Sequence, residues 1–309
     1  MSLYHYTKTG DSVKYHILLI LTAAIWGCAF VAQVVAMETM GPFWFNAVRF
    51  LLGSASLLPV IHFFPAETPA KPAPFPFWAA SLLAGLFLFG GAALQQVGIV
   101  YTTASKASFI TSLYILFVPI LGLFLGHSFR RNHAIGTVLA MAGVYFLSMK
   151  GSFSIELGDF LVLVSAVFFS LHILLLAYLT ERFAPVALSS GQFLVCAVLN
   201  GMAALAFGES FAAGMLLTAW WPILYGGLLS AGVAYTLQAV CQKHVPPGEA
   251  SMILSTEMIF GALSGILFLG ESLTMREWAG AALMVVGVFL SQIPSPVWIR
   301  GKGEGKSQL

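Results

Sequence analysis

Leu237 to Ser272 reads LQAVCQKHVPPGEASMILSTEMIFGALSGILFLGES, and this stretch decides the fold because much of it occurs twice. Moved back by 143 positions, Leu237, Gln238, Val240, Ala250, Ser251, Ile253 and Ser255 fall on Leu94, Gln95, Val97, Ala107, Ser108, Ile110 and Ser112. Moved back by 144, the block Leu267 to Gly270 falls on Leu123 to Gly126. Working outward, Pro42, Phe50 and Leu51 match Pro185, Phe193 and Leu194, while Gly136, Leu139, Gly143 and Val144 match Gly280, Leu283, Gly287 and Val288. Self-similarity on this scale means one structural unit used twice. Inside the stretch lies Glu257, the one acidic residue well within an apolar run, at a position the first copy fills with Tyr114.

The unit belongs in a membrane. Of 309 residues, 59% are hydrophobic and 8% charged, against ~25% charged in soluble domains. So few charges cannot cover a soluble body, and the apolar surface must face lipid. Apolar runs fall at about 15–36, 43–62, 76–100, 104–126, 133–149, 158–179, 185–207, 219–241, 249–270 and 278–294, each near the ~20 residues a helix needs to cross a bilayer. The first is too long for a signal-peptide core and reads as a retained span. The expected fold is an all-α integral membrane protein of ten transmembrane helices in two inverted five-helix repeats. Residues 1–14 form a cytoplasmic N-terminus, 15–150 the first repeat, 151–294 the second and 295–309 a cytoplasmic polar tail.

Basic residues set the orientation. With the N-terminus inside, cytoplasmic segments hold Lys8, Lys14, Lys71, Arg130, Arg131, Arg182, Lys243, Arg300, Lys302 and Lys306, and the opposite loops only Lys106, Lys150 and Arg276. That asymmetry places both termini in the cytoplasm. Five helices per copy, an odd number, turn the second copy upside down relative to the first. Inverted repeats are the architecture of many secondary transporters, with the substrate site near the midplane between the halves. Gly122-x-x-x-Gly126, Gly261-x-x-x-Gly265 and Ala23-x-x-x-Gly27 read as close-packing seams. The pair Gly90-Gly91 marks a candidate bend.

Glu257 follows the start of its run by about nine residues, hence ~13 Å from the cytoplasmic face and near the midplane. An intramembrane carboxylate is expensive and points to function, either as ligand for a substrate amine or as a proton-coupling site; the structural alternative is a carboxyl that locks helices together. Arg49 lies ~10 Å from the outer face. It either snorkels outward or serves as charge partner for Glu257 or for a substrate carboxylate. Gln95 and Gln238 hold equivalent repeat positions and suit a two-sided cavity lining or mirrored hydrogen bonds. His172 titrates near neutral pH when solvated; Trp26, Phe30 and Tyr235 suit an aromatic wall, and Lys106 is expected to reach water. The candidate cavity or coupling residues are therefore Glu257, Arg49, Trp26, Gln95, Tyr114, His172, Tyr235 and Gln238. None forms a catalytic or metal-binding pattern: the chain has no HExxH, GxSxG or paired-aspartate motif. The tail from Gly301 to Ser307 imitates a phosphate loop but has Arg300 where the first glycine is required and no strand before it. Cys28, Cys196 and Cys241 are scattered in apolar runs and read as small buried hydrophobes.

Taken in order, Ala24-Ile25-Trp26-Gly27, Pro42 with Arg49, the Ala107-Ser108 and Ala250-Ser251 helix starts, and Gly270-Glu271-Ser272-Leu273-Thr274 followed by Gly280 and Gly287 resemble the EamA-type transporters of the drug/metabolite transporter superfamily. The resemblance spans essentially the whole chain. It implies ten helices in two inverted repeats, a central cavity lined mainly by helices 1, 3, 4, 6, 8 and 9, and export of amino acids or metabolites. Two places depart from the family: Gly126-His127 stands where Gly-Glu is usual, and Met258 follows Glu257 where proline is frequent. The family carries a glutamate like Glu257 across members with different substrates, which favours packing or coupling over substrate choice. The expectation is a secondary exporter of amino acids or other small amphiphilic metabolites in the cell inner membrane, without cofactor. Its partners would be lipids, a small-molecule substrate and protons as candidate coupling ion, and nucleic acid has no part. An intramembrane enzyme or a ligand-binding sensor is the alternative.

Overall fold

The computed structural model describes residues 9–64, 71–125, 129–148, 155–293 and 297–299. The tail motif at Gly301, the pair Gly126-His127, and Lys8, Lys150, Arg300, Lys302 and Lys306 lie outside the described residues. The protein is a bundle of helical rods. The first half contributes α1 (Thr9–Ala36), α2 (Pro42–Phe63), α3 (Phe77–Ile99), the rod α4–α5 (Ala104–Thr111 and Tyr114–Phe124) and α6 (Arg131–Ser148). The second contributes α7 (Leu157–Leu179), α8 (Pro185–Ala206), a short α9 (Ala213–Thr218) and a rod made of α10 (Trp220–Leu224), a π-helix (Tyr225–Tyr235) and α11 (Thr236–Gln242). It ends with the rod α12–α13 (Pro247–Leu254 and Glu257–Leu269) and α14 (Met275–Gln292). A short antiparallel pair, β1 (Phe129–Arg130) with β2 (Val297–Ile299), sets Phe129 opposite Ile299.

Eight of these rods are long and apolar enough to cross a membrane among the described residues. The two that fall short are α6 and α14, which occupy the fifth and tenth expected runs. Each has 18 residues, or ~27 Å of helix against the ~30 Å core. They lie antiparallel and very close. A Cβ added at Gly143 would stand 2.6 Å from the Gly280 carbonyl oxygen, one at Gly280 2.7 Å from that of Gly143, and one at Gly287 2.7 Å from that of Gly136. The glycines that matched between the two copies are thus the ones that let these backbones touch, as expected where lipid gives no hydrophobic drive.

Corresponding helices also meet elsewhere. Phe50 of α2 packs on Phe193 of α8 with ring centroids 6.0 Å apart, and Phe43 stacks on Phe207 at 5.2 Å, so α2 and α8 run antiparallel. The major packings come in exchanged sets: α1 on the π-helix rod matches α3 on α7, and α1 on α13 matches α5 on α7. Both broken rods narrow at the same place. Leu113 and Thr256 donate to carbonyls three residues back, Ile110 and Ile253, and so do Ile115 to Ser112 and Met258 to Ser255. The hydroxyls of Ser255 and Thr256 turn onto Met252 and Ile253 carbonyls, a habit that bends helices. By contrast α3 runs unbroken through Gly90-Gly91, whose missing side chains accommodate the rings of Phe168 and Phe169. The glycine pair gives room for packing within one continuous helix.

One end of the bundle is closed by carboxylates. Gly208 and Gly270 adopt left-handed conformations, φ +71° and +64°, which only glycine takes cheaply, and each is followed by a glutamate. Glu209 accepts hydrogen bonds from the Phe43 and Trp44 N–H groups at 3.1 and 3.0 Å. Glu271 accepts from the Ala104 and Ser105 N–H groups at 2.7 and 2.9 Å. Both carboxylates come from the second half and cap the exposed donors of a first-half helix, α2 or α4, where the dipole favours negative charge. A Cβ at Gly265 would sit 2.6 Å from Glu271 Oε2, so that glycine leaves the path clear. Beside this cap Lys106, expected to reach water, is 4% exposed. Its Nζ lies 3.4 Å from Glu156, 3.5 Å from Glu277 and 4.0 Å from Asp159, which repays its burial with opposite charge. Glu271→Ala is expected to cost about 2–4 kcal/mol, since charge-assisted bonds to two helix-start donors go. A thermal unfolding midpoint equal to wild type would refute this.

Candidate functional site

Polar side chains from seven rods converge on one central cavity. It is lined by Trp26 and Gln33 of α1, Arg49 of α2, Gln95 of α3, Thr111 and Tyr114 of the α4–α5 rod and His172 of α7. Ser230, Tyr235 and Gln238 of the π-helix rod and Glu257 of α13 complete its polar wall. All eight candidate residues from the sequence face it. Its volume is about 40 Å³, far below the ~300–1,000 Å³ of ordinary ligand pockets. In this conformation the site is too small for a metabolite.

Glu257 reaches the cavity because the α12–α13 rod narrows at Ser255 and Thr256, making Glu257 the first residue of α13. The helix dipole there favours a carboxylate. Tyr114 begins α5 in the same way, so the carboxyl and the phenol that share a repeat position face each other from mirrored helix starts. Tyr114 adjoins the Glu257 carboxyl, yet neither the Tyr114 hydroxyl nor Glu257 Oε1 has a hydrogen-bond partner. The two groups are adjacent and unbonded. Gln33 Oε1 and Gln238 Oε1 also lack partners. Buried polar atoms almost always find one, and four of the exceptions lie on this one cavity.

Arg49 is 3% exposed, so it does not snorkel outward. Its Nε donates to Asn46 Oδ1 at 2.8 Å, and its guanidinium lies 4.7 Å from the Phe50 ring centroid and 5.3 Å from that of Phe45. These faces attract a cation but do not neutralise it. Among the described residues Arg49 forms no ion pair, and Glu257, 3% exposed, forms none either. The Arg49–Glu257 pair, one of the alternatives for Arg49, is therefore not made here. Gly226 of the π-helix leaves 3.2 Å between a would-be Cβ and Arg49 Cδ, which seats the long side chain.

The remaining candidates build the frame. Trp26 Nε1 donates to the Ser230 carbonyl at 3.2 Å, and its ring lies 4.5 Å from that of Tyr235. With Phe30, also on the cavity, these rings make the expected aromatic wall. Gln95 donates to Thr111 Oγ1 at 3.0 Å, whereas Gln238 leaves its acceptor open, so the equivalent glutamines differ in use. His172 shares a 2.8 Å hydrogen bond with Gln192, the residue that replaces Arg49 in the second copy. Gln33, Thr111 and Ser230 were not singled out from the sequence, because short or amide side chains are common hydrogen-bonding partners within membrane helices. Cys196 and Cys241 are buried and Cys28 is half-buried, all as free thiols.

The comparisons agree on what kind of protein this is. The model of the EamA-like transporter family matches residues 13–149 and again 156–292. An uncharacterized transporter of Archaeoglobus fulgidus is 31% identical over 273 residues, 88% of this chain and 83% of that protein. The uncharacterized transporter YwfM of Bacillus subtilis is 27% identical over 280 residues, 89% and 93% of the two chains. A solved crystal structure with 17% identity superposes with a TM-score of 0.66 over 92% of this chain and 97% of its own, a likeness of fold alone. With the family unit present in each half, the chain belongs to the EamA-like transporter family.

Proposed function

We propose that the protein is a secondary exporter of amino acids or similar small zwitterionic metabolites, working by alternating access across the cell inner membrane with both termini in the cytoplasm. One observation carries this reading: Arg49 and Glu257 are both buried on the same cavity, and neither is neutralised by an ion pair. A buried lone charge is costly, and the carboxylate and ammonium of one zwitterion would relieve both costs at once. The apolar remainder of the wall suits a small side chain and offers nothing to a polyanion.

The antiparallel packing of α2 on α8 and α6 on α14, and the matched narrowings of the two broken rods, support two inverted five-helix repeats with the site between them. The basic residues at one end support a cytoplasmic assignment for it. Because a cavity of about 40 Å³ is far too small for an amino acid, transport requires the halves to rock apart. Glu257 is the proton-coupling candidate, being the one carboxylate at the site among the described residues.

Counterflow in proteoliposomes tests the reading. Vesicles preloaded with unlabelled amino acids should accumulate labelled zwitterions transiently, which neither a sensor nor an enzyme does. Arg49→Gln should spare amines that lack the carboxylate, and Glu257→Gln should spare acids that lack the ammonium. Failure of every amino acid to exchange would reject the substrate class. Equal losses for whole and truncated substrates would reject the division of labour between the two charges.

A further inference from the structure

A second cavity, of about 330 Å³, opens at the end of the bundle opposite the carboxylate caps. It lies where α1 begins, α2 ends, α8 begins and α11 ends. Leu18, Val60, Ile61, Val186 and Val240 form its walls, and Lys14, Lys243 and His244 stand on it with Tyr15. The Tyr15 and His244 rings are stacked, 4.2 Å between centroids. Val60, Ile61 and Phe64 are exposed large hydrophobics, so the trough is continuous with the apolar outer surface.

The repeat shows what is special about this place. Shifted by 143 positions, Tyr15 corresponds to Gly158, Cys241 to Gly98, His244 to Tyr101, Lys14 to Leu157 and Lys243 to Val100. At the capped end those equivalents leave no space: a Cβ at Gly158 would stand 2.7 Å from the Gly98 carbonyl oxygen and 2.9 Å from Tyr101 Cβ. At the basic end both glycines are replaced by larger residues, Tyr15 and Cys241, a cavity lies beside them, and two lysines flank it. One copy of the unit seals this position, while the other opens it and makes it positive.

We propose that this second cavity binds an anionic phospholipid, its phosphate against Lys14 and Lys243 and the start of an acyl chain along the Leu18–Val240 trough. Basic pockets between membrane helices are suited to anionic headgroups. The apolar walls favour a lipid over a free anion, because a soluble phosphate would gain nothing from them and would lose hydration. The site lies apart from the central cavity, and its occupancy does not depend on what that cavity carries.

Native mass spectrometry of the full chain, delipidated and resupplied with equal amounts of phosphatidylglycerol and phosphatidylcholine of the same acyl chains, tests this. Wild type should retain phosphatidylglycerol preferentially by roughly tenfold or more, given two lysines near the headgroup. The Lys14→Gln/Lys243→Gln variant should lose that preference, and Lys71→Gln, at the same end but outside the cavity, should keep it. Ala187→Trp, which fills the trough and leaves both lysines, should reduce retention of the lipid. Equal retention of the two lipids by wild type would overturn the proposal, as would a preference that survives the double variant. Full displacement by inorganic phosphate would identify a free-anion site and overturn the lipid assignment.

Discussion

Glu257→Gln is expected to lower zwitterion counterflow by at least about tenfold while folded protein is recovered in wild-type yield. The substitution keeps the size of the side chain and its hydrogen-bonding capacity toward Tyr114 but removes the only carboxylate on the cavity among the described residues. If Glu257 holds an ammonium group or a proton, the lost interaction is worth at least the ~1.4 kcal/mol that corresponds to a factor of ten. If it merely locks helices, the amide does the same work and transport continues. Initial rates in vesicles with matched protein content separate these outcomes, and a wild-type rate would leave Glu257 a packing residue.

Gly143→Leu is expected to be the most damaging single change to the fold. The position where its Cβ would sit is 2.6 Å from a backbone oxygen of Gly280 and 2.9 Å from the Met284 nitrogen. Backbone cannot swing aside as a flexible side chain does, so α6 and α14 must separate along their length. Overpacking a close interface costs about 3 kcal/mol or more when the obstacle is rigid. Gly201→Ala is the contrast: nothing lies within 4 Å of its would-be Cβ, and alanine in a helix gains about 0.5–1 kcal/mol. Thermal unfolding of both variants checks the pair. Similar midpoints for Gly143→Leu and wild type would show that the two helices do not depend on their glycine contacts.

Much of this architecture was legible because lipid makes polarity expensive. Charged and amide residues inside apolar runs are few, so Arg49, Gln95, Gln238 and Glu257 stood out on cost alone, and all four line one cavity. Their roles are another matter and rest on the transport tests. The repeat was legible where glycine repeats, since Gly136, Gly143, Gly280 and Gly287 are kept by close backbone approach. What escaped notice has a common cause. The narrowed turns at Ser112–Leu113 and Ser255–Thr256 contain no proline or glycine, and the π-helix at Tyr225–Tyr235 has ordinary helix formers beside its glycines. These are registers of hydrogen bonding, decided by packing between rods. The Gly208-Glu209 cap was equally silent, because its partner α2 lies more than 160 residues away. Lys106 misled through its place near a helix end, where a lysine normally finds water; three carboxylates from the other half reach it instead.

The narrowed turns also define a lever. Tyr114 and Glu257 sit at the pivots of two rods whose shorter arms, α4 and α12, each hold eight residues. A swing of about 10° about such a pivot carries the tip of a ~12 Å arm through roughly 2 Å, while side chains at the fulcrum scarcely move. Bending there would let the ends of the bundle part and close in turn without dismantling the place where charge is held.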